Sequence, residues 1–500
     1  MTRPLLQTGN ARAASLKDVP LYDIGTFRET VLENDREGGR IVSFFGCVPE
    51  GEGQVRLFAV LSRHREGVFF ILSSDVKGSY RSLTPDCPQA HLFEREIYEE
   101  WGIVPEGHPW LKPVRFAPRR RKDGPEIEAG IMDFFRMKGE EAHEVAVGPV
   151  HAGVIEPGHF RFQCHGEDVF NLEISLGYQH RGVERAMVEY PGKRRIHYAE
   201  TLAGDTTIGH ATAYCHAVEG LSGCNVPARA QALRGVMLEL ERLANHAGDL
   251  GALSGDVAYL PTSSYCGRIR GDILNITALV CGSRFGRGML TCGGVRFDVD
   301  DVMRQELLER LDRVMSDLKC AADLLWETPS VVDRFEGTGV VDKKMCEELG
   351  LVGPAARACG IPRDVRSDLP SGIYRFSQIP VFTCESGDVF ARAYVRWMET
   401  QKSADFIKEQ TEGLPSGAVI AGEGTRLLPG SIVVSAVEGW RGEICHVAMT
   451  GVDGELARYK VVDPSFHNWM GLAVAMRGGE ISDFPLCNKS FNLSYCGHDL

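Results

Sequence analysis

Residues 198–219 read YAETLAGDTTIGHATAYCHAVE, and residues 480–500 read EISDFPLCNKSFNLSYCGHDL. In the first stretch Asp205 stands before TTIGHATAY, where a carboxylate can cap the start of a helix. In the second stretch Cys487 and Cys496 are too far apart in sequence for a local iron–sulfur or zinc knuckle. Neither stretch therefore indicates an autonomous metal site.

Composition indicates a soluble globular protein with more than one domain. The chain has 500 residues, 43% of them hydrophobic and 25% charged, which is ordinary for packed domains. Its net charge of -13 argues against a general nucleic-acid binder. The 15 cysteines and the absence of an apolar leader favour a reducing cytoplasm, and no uninterrupted apolar run is long enough to span a bilayer.

The first part of the chain predicts a small α+β domain over residues 1–116. Residues 41–48, 55–63 and 67–76 are short runs rich in β-branched and aromatic residues, which is typical of strands. Residues 17–34 and 90–101 are helix-like. A polar, charged stretch at 117–147 is interpreted as an interdomain linker.

The remainder, residues 148–500, predicts a larger mixed domain. It opens with strand-like sequence that forms an antiparallel sheet and continues as a bundle of long helices. Apolar residues recur every three or four positions in 226–247 and 301–326, which indicates two helices. Strand-like runs follow within 368–398 and 429–463. The predicted fold class is therefore α+β.

The first domain resembles the small hydrophilic subunit of respiratory complex I. The residues that carry this resemblance form the pattern ERE-x-x-x-x-[FW]-G-I-x-x-x-GHP, from Glu94 to Pro109. They follow Ser82-Leu83-Thr84-Pro85.

The second domain resembles both the quinone-site subunit of complex I and the large subunit of energy-converting, formate-hydrogenlyase-type nickel–iron hydrogenases. The strings that carry this resemblance are GPVH (148–151), EPGHFR (156–161), YQHRGVE (178–184), MLELER (237–242) and DPSF (463–466).

This resemblance implies that four cysteines should hold a nickel–iron centre, in two Cys-x-x-Cys pairs. The corresponding positions here are Ala203 and Thr206 in a first motif (residues 203–206), and Ser494 and Gly497 in a second motif (residues 494–497). A methyl group and a glycine cannot ligate, and a neutral hydroxyl is a poor ligand for a soft metal. The chain is therefore expected to hold no metal and to lack hydrogenase activity.

The resemblance also implies a quinone site. His159 falls where complex I has a quinone-facing histidine in a β-hairpin, and an imidazole can donate a hydrogen bond and a proton to a quinone carbonyl. A structural histidine in a turn is the alternative. His151 lies on the same predicted hairpin. Gly204 falls where complex I has a quinone-binding tyrosine, so the resemblance to that site is incomplete.

Other candidates have open roles. Asp205 could relay protons from the former metal cavity towards the membrane, or cap the next helix. His210 could line the cavity or make a core hydrogen bond. His180 and Arg181 are expected near an iron–sulfur partner, with Glu184 as the counter-ion of Arg181 or as part of an interfacial ion pair.

The resemblance implies a peripheral subunit on the cytoplasmic face of the cell membrane. It would pass electrons from a partner subunit carrying a [4Fe–4S] cluster to a quinone or similar acceptor, coupled to ion transport by antiporter-like and quinone-channel membrane subunits. A redox-silent scaffold is the alternative. The chain itself is expected to bind no iron–sulfur cluster, and it has no dinucleotide-binding fingerprint, so it should not bind NAD.

Overall fold

The computed structural model describes residues 4–49, 54–63, 66–120, 128, 130–139, 141–151, 155–190, 192–421 and 426–500. Residues 121–127 of the predicted linker lie outside this description. The strands are β1 (Leu6–Thr8), β2 (Ala13–Ser15), β3 (Leu21–Tyr22), β4 (Gly39–Cys47), β5 (Val55–Arg63), β6 (Phe69–Val76), β7 (Ser79–Arg81), β8 (Val104–Glu106), β9 (Ala142–Val147), β10 (His159–His165), β11 (Asp168–Ser175), β12 (Leu290–Thr291), β13 (Gly294–Val295), β14 (Ser431–Gly439), β15 (Gly442–Thr450) and β16 (Leu456–Val462).

The helices follow the same chain order. They are α1 (Ile24–Arg36), α2 (His91–Trp101), α3 (Val183–Glu189), α4 (Gly192–Glu200), α5 (Thr207–Ser222), α6 (Ala228–Asp256), α7 (Leu260–Cys281), α8 (Asp301–Trp326), α9 (Pro329–Phe335), α10 (Lys343–Leu349), α11 (Gly353–Arg357), α12 (Val365–Asp368), α13 (Val389–Glu412), α14 (Pro464–Ala475), α15 (Phe484–Phe491) and α16 (Tyr495–Asp499).

The first sheet is built from the predicted strands. β4, β5 and β6 pair antiparallel, β1 adds antiparallel to β6, and β3 pairs with β6 in parallel. Nearly every residue of β4, β5 and β6 is buried. Helices α1 and α2 pack on the sheet, and the same hydrophobic core also contains residues of β14 and β15.

The second sheet joins the two halves of the chain. Its order is β16-β15-β14-β2, so the N-terminal strand β2 pairs with β14. Successive residues of a strand point to opposite faces. Accordingly Ile432 and Val434 belong to the core of the first sheet, whereas Val433 and Val437 pack in the core of the large helical part. The residues that open the predicted second domain instead form a separate antiparallel sheet with the order β11-β10-β9. Its strand β9 comes from residues placed in the predicted linker.

The long helices confirm the periodicity argument. The helix predicted at 301–326 is α8, and the one predicted at 226–247 is the longer α6. The strand predicted within 368–398 is wrong: a 3-10 turn, Gly372–Arg375, and a loop precede α13. Pro370 and Pro380 cannot donate to a ladder, and the Tyr374 hydroxyl instead donates to Glu239 at 2.7 Å.

A buried ionic cluster lies between α6, α13 and β14. Arg357 donates to Glu399 at 2.7 Å and to Glu438 at 2.8 Å. The other members of the cluster, all buried, are the carboxylates of Glu239 and Asp364 and the guanidiniums of Arg242 and Arg366. On α6, Arg242 pairs with Glu239 and His246 with Glu399. The cluster has more carboxylates than guanidiniums, and burial together with Asp364 raises the pKa of Glu438 to about 7.

We expect Glu438 to make the protein less stable as the pH rises. Its folded pKa of about 7 lies above the usual glutamate value of about 4.3, so folding takes up a proton between these values. Stability from this group is full below pH ~4.3 and is lost as the pH rises through ~7. Replacing Glu438 by Gln should remove up to about 3 kcal/mol of this pH dependence in urea unfolding. Glu409→Gln, on the exposed face of α13, is the control. An unchanged pH slope in Glu438→Gln would contradict the assignment.

Candidate functional site

The first motif is held by a buried arginine instead of thiolates. Arg441, in the turn between β14 and β15, donates to both carboxylate oxygens of Asp205, at 2.5 and 2.8 Å. It also donates to the Thr206 hydroxyl at 3.3 Å and to the Asn492 carbonyl, just before the second motif. Burial acts to raise the pKa of Asp205, but Arg441 outweighs it and holds that pKa below its usual value. Arg441 therefore ties the two motifs together as a fixed cation.

Trp440 completes this packing. Its ring lies 3.9 Å from the Arg441 guanidinium carbon, in a cation–π contact. Its indole N–H donates to the Thr206 hydroxyl at 3.1 Å and to the Asp205 carbonyl at 3.2 Å. Thr206 stands where the second cysteine of the first motif would be, and its hydroxyl has several hydrogen-bond partners in the protein.

The second motif begins α16. The Ser494 hydroxyl caps this helix and accepts the N–H of Gly497 at 2.9 Å. A Cβ on Gly497 would lie 2.7 Å from the Asp463 carboxylate, so a side chain there requires a shift. The four positions hold an alanine, two hydroxyls that already have hydrogen-bond partners in the protein, and a glycine with no room for a side chain. They therefore do not fit a nickel–iron centre. No cluster of three or more His, Cys, Asp or Glu side chains suited to a metal ion occurs in the described part of the chain.

Cys496 joins the second motif to the predicted hairpin. Its N–H and that of Tyr495 donate to Glu156, at 3.3 and 3.2 Å. Its thiol contacts Ser494, Glu156 and the backbone of Gly204, and burial raises the pKa of the thiol to about 11. The loop before β10 and both motifs therefore meet at this cysteine.

One ring nitrogen of each of His159 and His151 lies close to a backbone carbonyl of the loop before β10. The Nδ1 atom of His159 lies 3.0 Å from the Gly148 carbonyl, and Nε2 of His151 lies 3.1 Å from the Gly158 carbonyl. His159 packs edge-on against Phe134. Its Nε2 atom is buried and has no hydrogen-bond partner among the described residues.

Gly204 is exposed. A Cβ built at Gly204 meets no described atom within 4 Å, so the position faces open space. Asp205 is partly accessible beside it, with a side-chain exposure of 32%. This open face is flanked by Cys496 and, through Glu156, by the loop of His159.

One of the two roles left open for Asp205 is excluded, and the predicted pairing of Arg181 with Glu184 is wrong. Asp205 does not cap α5, because Arg441 binds its carboxylate; Glu241 of α6 instead accepts the N–H groups of Ile208 and Gly209, at 2.7 and 3.1 Å. Arg181 does not pair with Glu184; it donates to the carbonyls of Thr201, Leu202 and Cys496. His210 makes core hydrogen bonds, to His446 and Asp463.

His180 and Arg181 line a cavity of about 920 Å³ between the two domains. The Nδ1 atom of His180 lies 2.7 Å from the Asp499 carbonyl, and burial lowers the pKa of His180. The other charged residues that line the cavity include Glu96, Arg115, Arg120, Glu184 and Arg185.

Sequence reasoning missed Arg441, Trp440 and Glu156 as site residues. Arg441 stands in a tight turn between two strongly apolar strands, and a charged residue there was the available signal. Glu156 stands in the quoted string EPGHFR, but its contact with α16 joins residues more than 300 positions apart. Of the described helices, none is both long and apolar enough to cross a membrane.

The comparisons with known proteins agree with this architecture. Residues 28–121 match the model of the family described as "Respiratory-chain NADH dehydrogenase, 30 Kd subunit", and residues 256–435 match the "49 Kd subunit" family. The chain is 30% identical over 439 residues to formate hydrogenlyase subunit 5 of Escherichia coli, covering 84% of this chain and 76% of that relative.

Two further similarities cover nearly all of the other chain. A carbon monoxide-induced hydrogenase of Rhodospirillum rubrum is 32% identical over 351 residues, which are 70% of this chain and 97% of the relative. A chain in the structure of the archaeal membrane-bound sulfane sulfur reductase superposes with a TM-score of 0.68 and 24% identity, over 72% of this chain and 99% of that chain. That likeness shows the fold. The chain belongs to the family that joins the large subunits of energy-converting hydrogenases with the 49 kDa subunit of respiratory NADH dehydrogenase, and it carries a 30 kDa-type domain fused at its N-terminal side.

Proposed function

We propose that this chain is the peripheral, cytoplasmic subunit of a complex-I-like or hydrogenase-related membrane oxidoreductase. It passes electrons from a [4Fe–4S] partner subunit to a quinone or a similar acceptor, in a reaction coupled to ion transport. The observation that carries the proposal is the open face at Gly204, which adjoins both motifs and the loop of His159. A flat acceptor can approach this face without displacing a side chain of Gly204.

His159 is the proposed hydrogen-bond and proton donor to the acceptor. A neutral imidazole has one donor and one acceptor nitrogen, and its Nδ1 must donate to bond the Gly148 carbonyl. The unpartnered Nε2 can then donate only when the ring is an imidazolium. Such a ring both polarises a carbonyl oxygen and gives up a proton as that oxygen is reduced.

The cavity between the domains supports the proposed partner. His180 and Arg181 line it, and Arg181 also donates to the carbonyls of Leu202, just before the first motif, and of Cys496, in the second motif, so the cavity adjoins the site. A fixed guanidinium near a cluster stabilises its reduced form. The iron–sulfur subunit is proposed to dock here, and the antiporter-like and quinone-channel subunits to anchor the assembly to the inner face of the membrane.

A redox-silent scaffold is the second candidate. The observation in its favour is that Arg441, Trp440 and Asp205 already occupy the space between the two motifs. In that case the chain would transmit conformational change between partners and would bind no acceptor.

The test is quinone reduction by the purified complex, with its iron–sulfur subunit chemically reduced. We expect His159→Ala to lower turnover at least about tenfold, a loss of ~1.4 kcal/mol in transition-state stabilisation. His165→Ala is the matched control, because His165 is on the same strand and lies exposed beside Glu141.

The outcomes separate the candidates. Equal turnover in wild type and His159→Ala would contradict the role of His159. An absence of turnover in the wild type, with the cluster shown to be reduced, would favour the scaffold. Stoichiometric nickel bound to this chain in the purified complex would contradict both candidates and would indicate an active nickel–iron hydrogenase.

A further inference from the structure

The hairpin formed by β12 and β13 is fixed onto helix α5 by a buried ion pair. Glu219 of α5 accepts two hydrogen bonds from Arg234 of α6, at 2.6 and 3.0 Å, and the N–H of Gly293 at 2.7 Å. Arg234 also donates to the carbonyl of Thr291, just before the turn, at 2.8 Å. Both charged side chains are buried. The two turn residues, Cys292 and Gly293, therefore have a fixed position against α5.

Three cysteines from separate segments meet at this turn. Cys292 belongs to the turn and is exposed, whereas Cys215 is buried on the face of α5 that binds the hairpin. The thiol of Cys215 and the hydroxyl of Tyr214 both contact the sulfur of Cys292. Cys224 follows α5, and a Cβ built at Gly293 would lie 3.6 Å from its sulfur. An exposed thiol is thus in contact with a buried one.

These contacts favour the thiolate of Cys292, which is the form of a cysteine that reacts with peroxides. The bond from the Cys215 thiol, with the charge of Arg234, lowers the pKa of Cys292, although burial and Glu219 act to raise it. Burial raises the pKa of Cys215 well above its usual value, so Cys215 keeps its proton and donates. The pair therefore combines a nucleophilic sulfur with a protonated thiol beside it.

Two other sets of cysteines separate the effects of contact and exposure. Cys346 and Cys359 also contact each other through their thiols, but both are buried. Cys320 is exposed on α8. They provide internal references for the oxidation of Cys292.

We propose that Cys292 and Cys215 form a reversible oxidation site, at which a hydroperoxide converts the two thiols into a disulfide that joins the hairpin to α5. This inference goes beyond the proposed function and does not depend on it. In a reducing compartment such a disulfide is transient, because external thiols reduce it.

The reaction takes two steps with hydrogen peroxide as the oxidant. The Cys292 thiolate attacks one peroxide oxygen, so an S–O bond forms, the O–O bond breaks and hydroxide leaves with a proton as water. The sulfur of Cys215 then attacks the sulfenic acid of Cys292. An S–S bond forms, the S–O bond breaks, and the Cys215 proton leaves with the hydroxyl as a second water. The two thiols lose two electrons and the peroxide gains them. An external dithiol reverses the change by attacking Cys292, through a mixed disulfide.

The test is peptide mapping by mass spectrometry of the purified full-length chain after brief treatment with hydrogen peroxide and alkylation of the remaining thiols. In the wild type we expect a link between Cys215 and Cys292 that disappears with dithiothreitol. It should form at least about tenfold faster than any link between Cys346 and Cys359, because peroxide reaches the exposed sulfur first. This measurement uses the unaltered chain and so does not depend on the folding of a variant.

Two variants identify the order of the steps. In Cys215→Ser the oxidation of Cys292 should stop at the sulfenic acid, which dimedone labels. Cys320→Ser is the matched control and should form the link as the wild type does. Absence of the link in peroxide-treated wild type overturns the proposal, and so does a link from Cys292 to Cys224 in place of Cys215. Equal rates of linkage for the exposed and the buried pair overturn the argument from exposure and the assignment of Cys292 as the attacking thiol.

Discussion

Replacing Arg441 by Met is expected to lower the free energy of unfolding by up to about 3 kcal/mol, because the partly buried Asp205 carboxylate loses its cation and the buried Asp463 carboxylate loses a nearby positive charge. Arg441 makes both bonds to Asp205 and lies near Asp463, whose side chain is 1% exposed. The variant also loses the hydrogen bond to Asn492 and the contact with Trp440, so the two motifs are no longer joined. Urea unfolding followed by tryptophan fluorescence measures the loss.

Two further variants make this result specific. Arg185→Ala, which removes an exposed arginine paired with Glu189, should cost no more than about 0.5 kcal/mol. Adding Asp205→Asn to the Arg441→Met variant should recover part of the stability, because a neutral amide needs no cation. A loss in Arg441→Met no larger than that in Arg185→Ala would contradict the structural role of Arg441.

The second large effect is expected for Glu184→Gln. Glu184 of α3 accepts from Lys460 and from Arg458, both at 2.9 Å, and from the N–H of Val461 at 3.0 Å. Lys460 and Arg458 also bind Glu96 at 2.5 Å and Glu100 at 3.2 Å, on α2 of the first domain. Losing the central carboxylate leaves two buried cations with fewer counter-ions, at a cost of about 3–5 kcal/mol.

The same group predicts a dependence on pH. Burial acts to raise the pKa of Glu184, but Lys460 and Arg458 outweigh it and hold the pKa well below its usual value. A carboxyl with a lowered pKa contributes stability above pH ~4.3, and that contribution is lost on acidification. Wild type should therefore lose stability below pH ~4.3 more steeply than Glu184→Gln. Glu189→Gln, at the exposed end of the same helix, is the control, and an equal acid response in all three proteins would contradict the prediction.

Local patterns were sufficient for most helices and strands. The bounds of α8 follow from its apolar residues at every third or fourth position, which indicate a helix with one buried face. The bounds of β5 follow from its continuous run of β-branched and apolar residues, which indicates a buried strand. The run before α13 resembles a strand in its composition. Its conformation is instead decided by two prolines and by the bond from Tyr374 to Glu239.

The missing thiolate ligands of the candidate site follow from residue identity alone, whereas the role of His159 stays a prediction. The partners of the site's charged residues do not follow from residue identity. Asp205 was equally compatible with a relay and a helix cap, and the choice of Arg441 as its partner depends on a turn more than 200 residues away. The predicted pair of Arg181 and Glu184 failed for the same reason: helical spacing brings residues close, but buried cations of β16 compete for the carboxylate.

The sequence by itself determined the family, the two kinds of domain and the loss of the thiolate ligands, because these depend on residue identity and local spacing. Only the tertiary structure decided what stands between the two motifs and beneath them. Arg441, Trp440, His446 and Asp463 come from distant segments, and their hydrogen bonds exist only when the second sheet packs against α5. Burial then makes their charge states depend on their neighbours. A group removed from water is ionised only where nearby charges and hydrogen bonds stabilise its charged form.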